Sequence, residues 1–250
     1  MRFCARVLLL GVFSLAAIGS ASAGPDRWNG AYVGLNAGYG FSNLDGGIAV
    51  LDTVGRPYGS GPLGYGVDGK GLLGGIQAGV NSRSGMFFSG IEADLQWADI
   101  SDTSRTSFAP PVIFPFTYTA TSRINGLATI RARAGIALDS TLIYVTGGFA
   151  LGKAEYEAQY FITSNNAYAN LRSSDILKGY VLGAGVEQAL GGAWSLKLEY
   201  QYINFGDQVA QGGLHFANGT PSGETVTTGF DMDLHTVRVG LNYKFSSTLP

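Results

Sequence analysis

The chain has 250 residues, among them 38 glycines, 13 tyrosines and 14 phenylalanines, and only 14% of its residues are charged. The formal net charge of −2 excludes the basic surface of a nucleic-acid-binding protein, and the apolar content excludes a disordered chain. The single cysteine, Cys4, excludes an internal disulfide and a cysteine-rich metal site. Glycine-rich and aromatic composition with positive mean hydropathy favours a β-rich protein and raises the question of a membrane.

The first segment is typical of a secretory leader. Arg2 and Arg6 precede an apolar run at Val7–Ile18, which is too short to span a bilayer as a helix. Small residues at Ala21–Ala23 then form an A-x-A cleavage site. We therefore expect a signal peptide over residues 1–23.

The mature part, residues 24–250, contains no apolar stretch of helix-spanning length, but it repeatedly alternates apolar and polar residues. Each alternating segment is roughly ten residues long, the length that crosses a bilayer as a tilted strand. In chain order the eight segments are Trp28–Gly40, Leu72–Asn81, Phe87–Trp97, Gly126–Ile136, Leu142–Gly152, Gly179–Gln188, Trp194–Ile203 and Leu234–Phe245.

The connections between these segments alternate in length. The short ones are Asn81–Gly85, Asp139–Thr141 and Gly191–Ala193. The long ones are Phe41–Gly69, Asp99–Ser122, Ala154–Ile176 and Gly206–Asp233. Such alternation is typical of bacterial barrels, which have short periplasmic turns and long surface loops.

We therefore predict an all-β fold, an eight-stranded antiparallel transmembrane β-barrel with short periplasmic turns and four long extracellular loops. Both termini are then periplasmic, and the location is the outer membrane. A soluble β-sandwich fits less well, because one face of every segment is apolar. A ten-stranded barrel with an extra hairpin in the first long loop is the alternative topology.

The polar faces of the segments define a lumen that carries charges of both signs. Its charged residues are Glu92, Asp94, Arg131, Arg133, Glu187, Lys197, Glu199 and Arg238. Neighbouring segments carry opposite charges, which favours pairing of buried groups. Because eight strands leave an interior just wide enough for side chains, we favour a salt-bridge plug over an ion-selective constriction.

Aromatic residues lie near both ends of the apolar faces, where barrels place interfacial girdles. The predicted girdle residues are Trp28, Tyr39, Phe87, Trp97, Trp194, Tyr202, Tyr243 and Phe245. Phe205 is assigned to the outer girdle on the same basis.

Three groups of stretches resemble the small outer-membrane immunogenic proteins, a porin-family group of surface-antigen barrels. They are Trp28–Gly34 with Ala37–Gly40, Ile130–Gly135 with Tyr144–Gly148, and Gly183–Glu187 with Trp194–Tyr200 and His235–Phe245. The resemblance implies an OmpA-like barrel in a Gram-negative outer membrane, with structural, permeability or host-contact roles. It also implies that the insertion machinery recognises the last strand, which ends here at Phe245 and is followed by Ser246–Pro250.

We accordingly expect a structural surface barrel that contacts outer-membrane lipids and lipopolysaccharide and needs no cofactor or metal. Two alternatives are a small porin and a binder of hemin or a host ligand through the surface loops, with His215 or a loop tyrosine as a hemin ligand. An enzyme is not expected, because no serine is clearly paired with His235 and its neighbours Asp231 and Asp233. The sequence gives no oligomeric state.

Overall fold

The computed structural model describes residues 27–57, 62–108 and 115–245. The predicted signal peptide and Cys4 lie outside this part of the chain. The strands are β1 (Gly30–Leu51), β2 (Leu63–Ser84), β3 (Phe87–Phe108), β4 (Phe116–Leu138), β5 (Thr141–Ile162), β6 (Tyr168–Gly191), β7 (Trp194–His215) and β8 (Pro221–Lys244). No helix in the described ranges is long and apolar enough to cross a membrane.

The eight strands form one closed antiparallel barrel in which each strand pairs with its sequence neighbour. Closure comes from the pairing of β1 with β8, where Tyr32 lies opposite Lys244. Two-residue turns join β2 to β3, β4 to β5 and β6 to β7. At these turns Gly85, Asp139 and Gly192 have positive φ, which tight hairpins require. The eight-stranded prediction is confirmed, and the ten-stranded alternative is wrong because β1 and β2 pair directly through the first predicted loop.

The four segments predicted as long loops are mostly strand. Every strand has 22 to 24 residues, about twice the predicted length. The connections that remain at this end are residues 52–62, 109–115, 163–167 and 216–220. The reason for the error is physical: the side-chain alternation continues beyond the predicted strand ends, but the polarity of its two faces is exchanged.

The exchange of polarity is clear along β7. Its inward residues begin with Lys197 and Glu199 and continue with the buried Ile203 and Phe205. Its outward residues change in the opposite sense, from the apolar Leu198 and aromatic Tyr200 to the polar Asn204 and Asp207. The lower barrel is therefore apolar outside and polar inside, whereas the upper barrel has the polarity of a water-soluble protein.

The strands are longer than the apolar band of a membrane barrel is tall. A strand of 22 residues that rises about 3.3 Å per residue at a tilt of about 40° covers roughly 55 Å along the barrel axis. The apolar band of an outer-membrane barrel is about 25 Å tall. About 30 Å of sheet therefore continues past the band, on the side opposite the short turns. Among the described residues of this upper part, β6 and β7 are not paired between Tyr168 and Tyr180.

Candidate functional site

The lumen of the lower barrel contains the most unusual chemistry of the molecule. The eight charged residues predicted to face it are all buried, with 3% exposure or less. They comprise four carboxylates and four cations, so the formal charge of the group is zero. We call these eight residues the lumen network.

Glu92 is a centre of this network. Lys197 Nζ lies 2.9 Å from each of its carboxylate oxygens, and Arg133 Nη1 lies 3.3 Å from Oε2. Arg131 also pairs with Glu92 through Nη2. The Tyr32 hydroxyl donates a hydrogen bond to Oε2 at 2.6 Å. One carboxylate from β3 thus connects three cations from β4 and β7.

Glu199 and Asp94 complete the upper part of the lumen network. Arg131 reaches both of them, with Nη1 3.0 Å from Glu199 Oε1 and Nη2 2.8 Å from Asp94 Oδ2. Arg238 bridges the same two carboxylates and lies 3.3 Å from Asp94 Oδ1. Pairing therefore crosses the barrel and is not limited to neighbouring strands, which the sequence pattern alone did not reveal.

Glu187, on β6, is the fourth carboxylate of the network. It accepts hydrogen bonds from Arg133 Nη2 at 2.9 Å, from Ser195 Oγ at 2.5 Å and from Asn242 Nδ2 at 2.8 Å. The Arg133 guanidinium also lies 4.1 Å from the centroid of the Tyr144 ring, within cation–π range. These neutral partners, Tyr144, Ser195 and Asn242, share the inward parity of the charged residues and are buried with them.

Glycines make room for the large side chains of the lumen network. Six of its residues lie directly opposite a glycine on a neighbouring strand: Glu92–Gly79, Arg131–Gly148, Arg133–Gly90, Lys197–Gly240, Glu199–Gly185 and Arg238–Gly38. A methyl group built on Gly148 would lie 2.0 Å from the carbonyl oxygen of Ile130. Alternation of large and small residues is how a narrow barrel fills its interior.

Above the lumen network the interior becomes an apolar core. Three tyrosines meet there, with the Tyr156 hydroxyl 2.6 Å from that of Tyr65 and 2.7 Å from that of Tyr118. Tyr65 also lies 2.8 Å from Thr228 Oγ1, and Phe230 stacks on Tyr156 with ring centroids 4.6 Å apart. The hydroxyls satisfy one another within apolar surroundings, so this core forms a second barrier across the lumen.

The end of the lumen beside the short turns is closed by Trp28, which corrects a predicted girdle residue. Trp28 is 4% exposed and packs with Phe88, Leu142 and Tyr144 inside the barrel. Its indole Nε1 donates to the Asp139 carbonyl oxygen at 3.2 Å. Trp28 has the inward parity of Tyr32, and this parity is the feature of the sequence that indicates a position inside the barrel.

Phe205, assigned to the outer girdle, is also inward and is 3% exposed. It follows the point at which β7 exchanges its polarity. The remaining predicted girdle residues point outward and are at least partly exposed: Tyr39, Phe87, Trp97, Trp194, Tyr202, Tyr243 and Phe245. Edge contacts join Trp194 to Tyr243 and Tyr243 to Phe245.

The two histidines lie on the outer surface. His235 Nδ1 is 2.6 Å from the Tyr200 hydroxyl. His215 stacks on Tyr168 with ring centroids 5.6 Å apart, and its Nδ1 lies 3.0 Å from the Gly213 carbonyl oxygen. Within the described ranges no group of three or more His, Cys, Asp or Glu residues has the arrangement of a metal site.

Just above the apolar band, one side of the outer surface is acidic. Asp45, Asp231 and Asp207 lie directly opposite one another on β1, β8 and β7. Asp233 is two positions nearer the band and accepts a hydrogen bond from Tyr202 at 2.7 Å. A hydrogen bond with Asp207, together with loss of hydration and the surrounding negative charge, raises the pKa of Asp231 above its ordinary value.

Comparisons with known proteins agree with this architecture. Residues 7–245 match the family described as outer membrane protein beta-barrel domain. The 31 kDa outer-membrane immunogenic protein of Brucella melitensis is 32% identical over 222 residues, covering 87% of this chain and 84% of that protein. The 25 kDa outer-membrane immunogenic protein of Brucella abortus is 26% identical over 220 residues, covering 87% and 79%.

Among solved structures, the outer membrane protease OmpT from Escherichia coli superimposes with a TM-score of 0.50 at 9% identity. The match covers 91% of this chain and 99% of that chain. At this identity the likeness concerns the fold alone.

Proposed function

The chain belongs to the outer-membrane β-barrel family, and we propose that it is a closed, non-enzymatic barrel that presents a rigid surface beyond the membrane. The observation that carries this proposal is the lumen network, whose eight charges are buried and pair across the barrel. A pore needs water along its axis, whereas here charged side chains fill the lower lumen and the tyrosine-centred core fills the upper lumen.

The positions of the strand ends support an orientation of the barrel in the membrane. Both β1 and β8 have their membrane-embedded ends beside the short turns, since Gly30 lies opposite Asn81 and Lys244 lies opposite Tyr32. Short turns are periplasmic in bacterial barrels. We therefore propose periplasmic termini and an upper barrel exposed at the cell surface.

The surroundings of the histidines support a non-catalytic role. Each contacts a tyrosine, and neither is hydrogen-bonded to a serine or threonine in the described ranges. Envelope support and contact with the environment through the upper barrel are the roles that a sealed and rigid structure serves best. A hemin site or a diffusion pore has no specific support in this geometry.

Conductance in a planar bilayer tests the proposal. We expect the refolded mature protein to be silent. Glu92→Ala and Arg131→Ala should also be silent while folded, because the tyrosine-centred core lies in series with the lumen network. A steady conductance of the wild type, with altered ion selectivity in either variant, would instead establish a porin lined by these residues.

A further inference from the structure

Three cations form a patch on the outer surface at the upper edge of the apolar band. They are Arg123 on β4, Lys153 on β5 and Lys178 on β6, and all three are exposed. Lys153 is the diagonal neighbour of both other cations. Lys178 lies opposite Leu151, and Arg123 lies opposite Glu155. Leu151 and Glu155 are each two positions from Lys153 along β5. Such diagonal neighbours are about 7–8 Å apart, so one ligand group can reach two of these cations. We call these three residues the basic patch.

The charges of the basic patch are not neutralised by pairing. Within the described ranges none of its three side chains forms an ion pair, whereas nearby Arg172 pairs with Glu157 at 3.3 Å. Two carboxylates lie close by, but each is engaged by a neutral donor. Asn125 Nδ2 donates to Glu155 at 3.0 Å, and Ser173 Oγ donates to Asp175 at 2.8 Å.

The surface directly below the basic patch is apolar. On β5 the outward residues that precede Lys153 are Phe149 and Leu151, and on β6 Lys178 is followed by the outward Tyr180 and Leu182. All four of these side chains are exposed to the membrane. A ligand of matching shape has an anionic head and apolar chains that extend toward the membrane centre.

The opposite side of the barrel has the reverse charge at this level. The described residues of β1 include no lysine or arginine, and the only such residues of β7 and β8 are Lys197, Arg238 and Lys244. Two of these belong to the lumen network, and Lys244 lies at the periplasmic end. The aspartates of the acidic side thus repel the anions that the basic patch attracts.

We propose that the basic patch binds the phosphorylated headgroup of an outer-leaflet glycolipid, whose acyl chains lie along β5 and β6. Phosphate is the anion that neighbouring arginine and lysine side chains bind well. The inference rests on insertion in the membrane with the orientation proposed above, and not on closure of the lumen. A conducting barrel would therefore leave it intact, and a silent barrel would not establish it.

The test is native mass spectrometry of the refolded barrel in a neutral detergent, titrated with diphosphorylated lipid A. The variant is Arg123→Gln/Lys153→Gln/Lys178→Gln. A charge-matched control, Arg56→Gln/Arg105→Gln/Arg172→Gln, removes three cations near the tips of the strands. Heat-modifiable migration in gels shows that each protein is folded.

We expect affinity to fall about fivefold for each charge removed from the basic patch and about a hundredfold for the triple variant. The control should bind like the wild type, and lipid A without phosphate should bind weakly to all three proteins. Single Gln variants keep the test valid if the triple variant does not fold.

Three results would overturn the proposal. One is equal binding by the wild type and the triple variant. Another is an equal loss in the control, which would indicate an effect of net charge. The third is displacement of the lipid by millimolar inorganic phosphate, which would indicate a site for free phosphate and not for a lipid.

Discussion

Replacing Glu92 by Gln tests whether the lumen network is desolvated and energetically coupled. The substitution keeps the size of the side chain but removes the charge that Lys197, Arg131 and Arg133 share. The nearest remaining carboxylate oxygen to Lys197 Nζ is that of Glu199, at 3.8 Å. The network then has a net charge of +1 in an interior without access to solvent.

The magnitude follows from this geometry. Removing one partner of a buried ion pair costs about 3–5 kcal/mol, because the other charge stays buried without compensation. This is a large part of the roughly 5–15 kcal/mol that stabilises a typical domain. With a urea dependence of about 2–3 kcal/mol per M, the unfolding midpoint should fall by roughly 1–2.5 M.

The assay is equilibrium urea unfolding of the barrel in lipid vesicles, followed by tryptophan fluorescence. The control is Glu92→Gln/Lys197→Met, which removes both a negative and a positive charge and returns the network to neutrality. The double variant should lose about 1–3 kcal/mol less stability than the sum of the losses caused by Glu92→Gln and Lys197→Met alone. The reasoning fails if Glu92→Gln costs less than about 1 kcal/mol or if the two substitutions are additive, because either result would mean a hydrated lumen.

Three further outcomes are expected. Trp28→Ala should lower the free energy of unfolding by about 3–5 kcal/mol. The same substitution at the lipid-facing Trp97 should lower it by about 1 kcal/mol or less. In single-tryptophan variants, brominated lipids should quench the fluorescence of Trp97 but not that of Trp28. Gly148→Ala should destabilise the barrel by about 1–3 kcal/mol or more, because no space exists for the methyl group. Gly74→Ala should be neutral in the same urea assay, because the atom nearest to its added methyl group is 3.4 Å away. The raised pKa of Asp231 means that the folded protein binds its proton more tightly than the unfolded chain does. Protonation of Asp231 therefore stabilises the folded protein at low pH. This stabilisation is lost as the pH rises from about 3.9 through the raised pKa. Asp231→Asn should remove that part of the pH dependence, which unfolding midpoints measured between pH 3 and pH 7 would reveal.

The lower barrel could be predicted from the sequence because one physical requirement governs it. Lipid demands apolar side chains on one face of each strand, and the narrow lumen demands small or paired polar ones on the other. That rule predicts from the sequence alone that Glu92, Arg131 and the other charges of the lumen network face the lumen. The pairing across the barrel could not be predicted in this way, because it depends on the lengths and directions of side chains from non-adjacent strands.

The upper barrel could not be predicted from apolar outward faces, because its outward residues are mostly polar. On β1 the inward parity of Tyr32 continues through Ser42 to the buried Leu44 and Ile48. The alternation therefore persists, but the polarity of its faces is reversed. Alternation of inward and outward side chains, taken without regard to polarity, predicts a longer β1 and a position for Trp28 inside the barrel.

The reversal of polarity has a consequence for immune recognition. Outward side chains of the upper barrel contribute nothing to its buried core, so they can diverge while the buried residues keep the sheet intact. Neighbours on this surface belong to different strands, as Lys153 and Lys178 do, and are distant along the chain. An antibody footprint of about 800 Å² therefore spans several strands. Antisera against the assembled barrel should recognise discontinuous epitopes, and linear peptides taken from single strands should reproduce few of them.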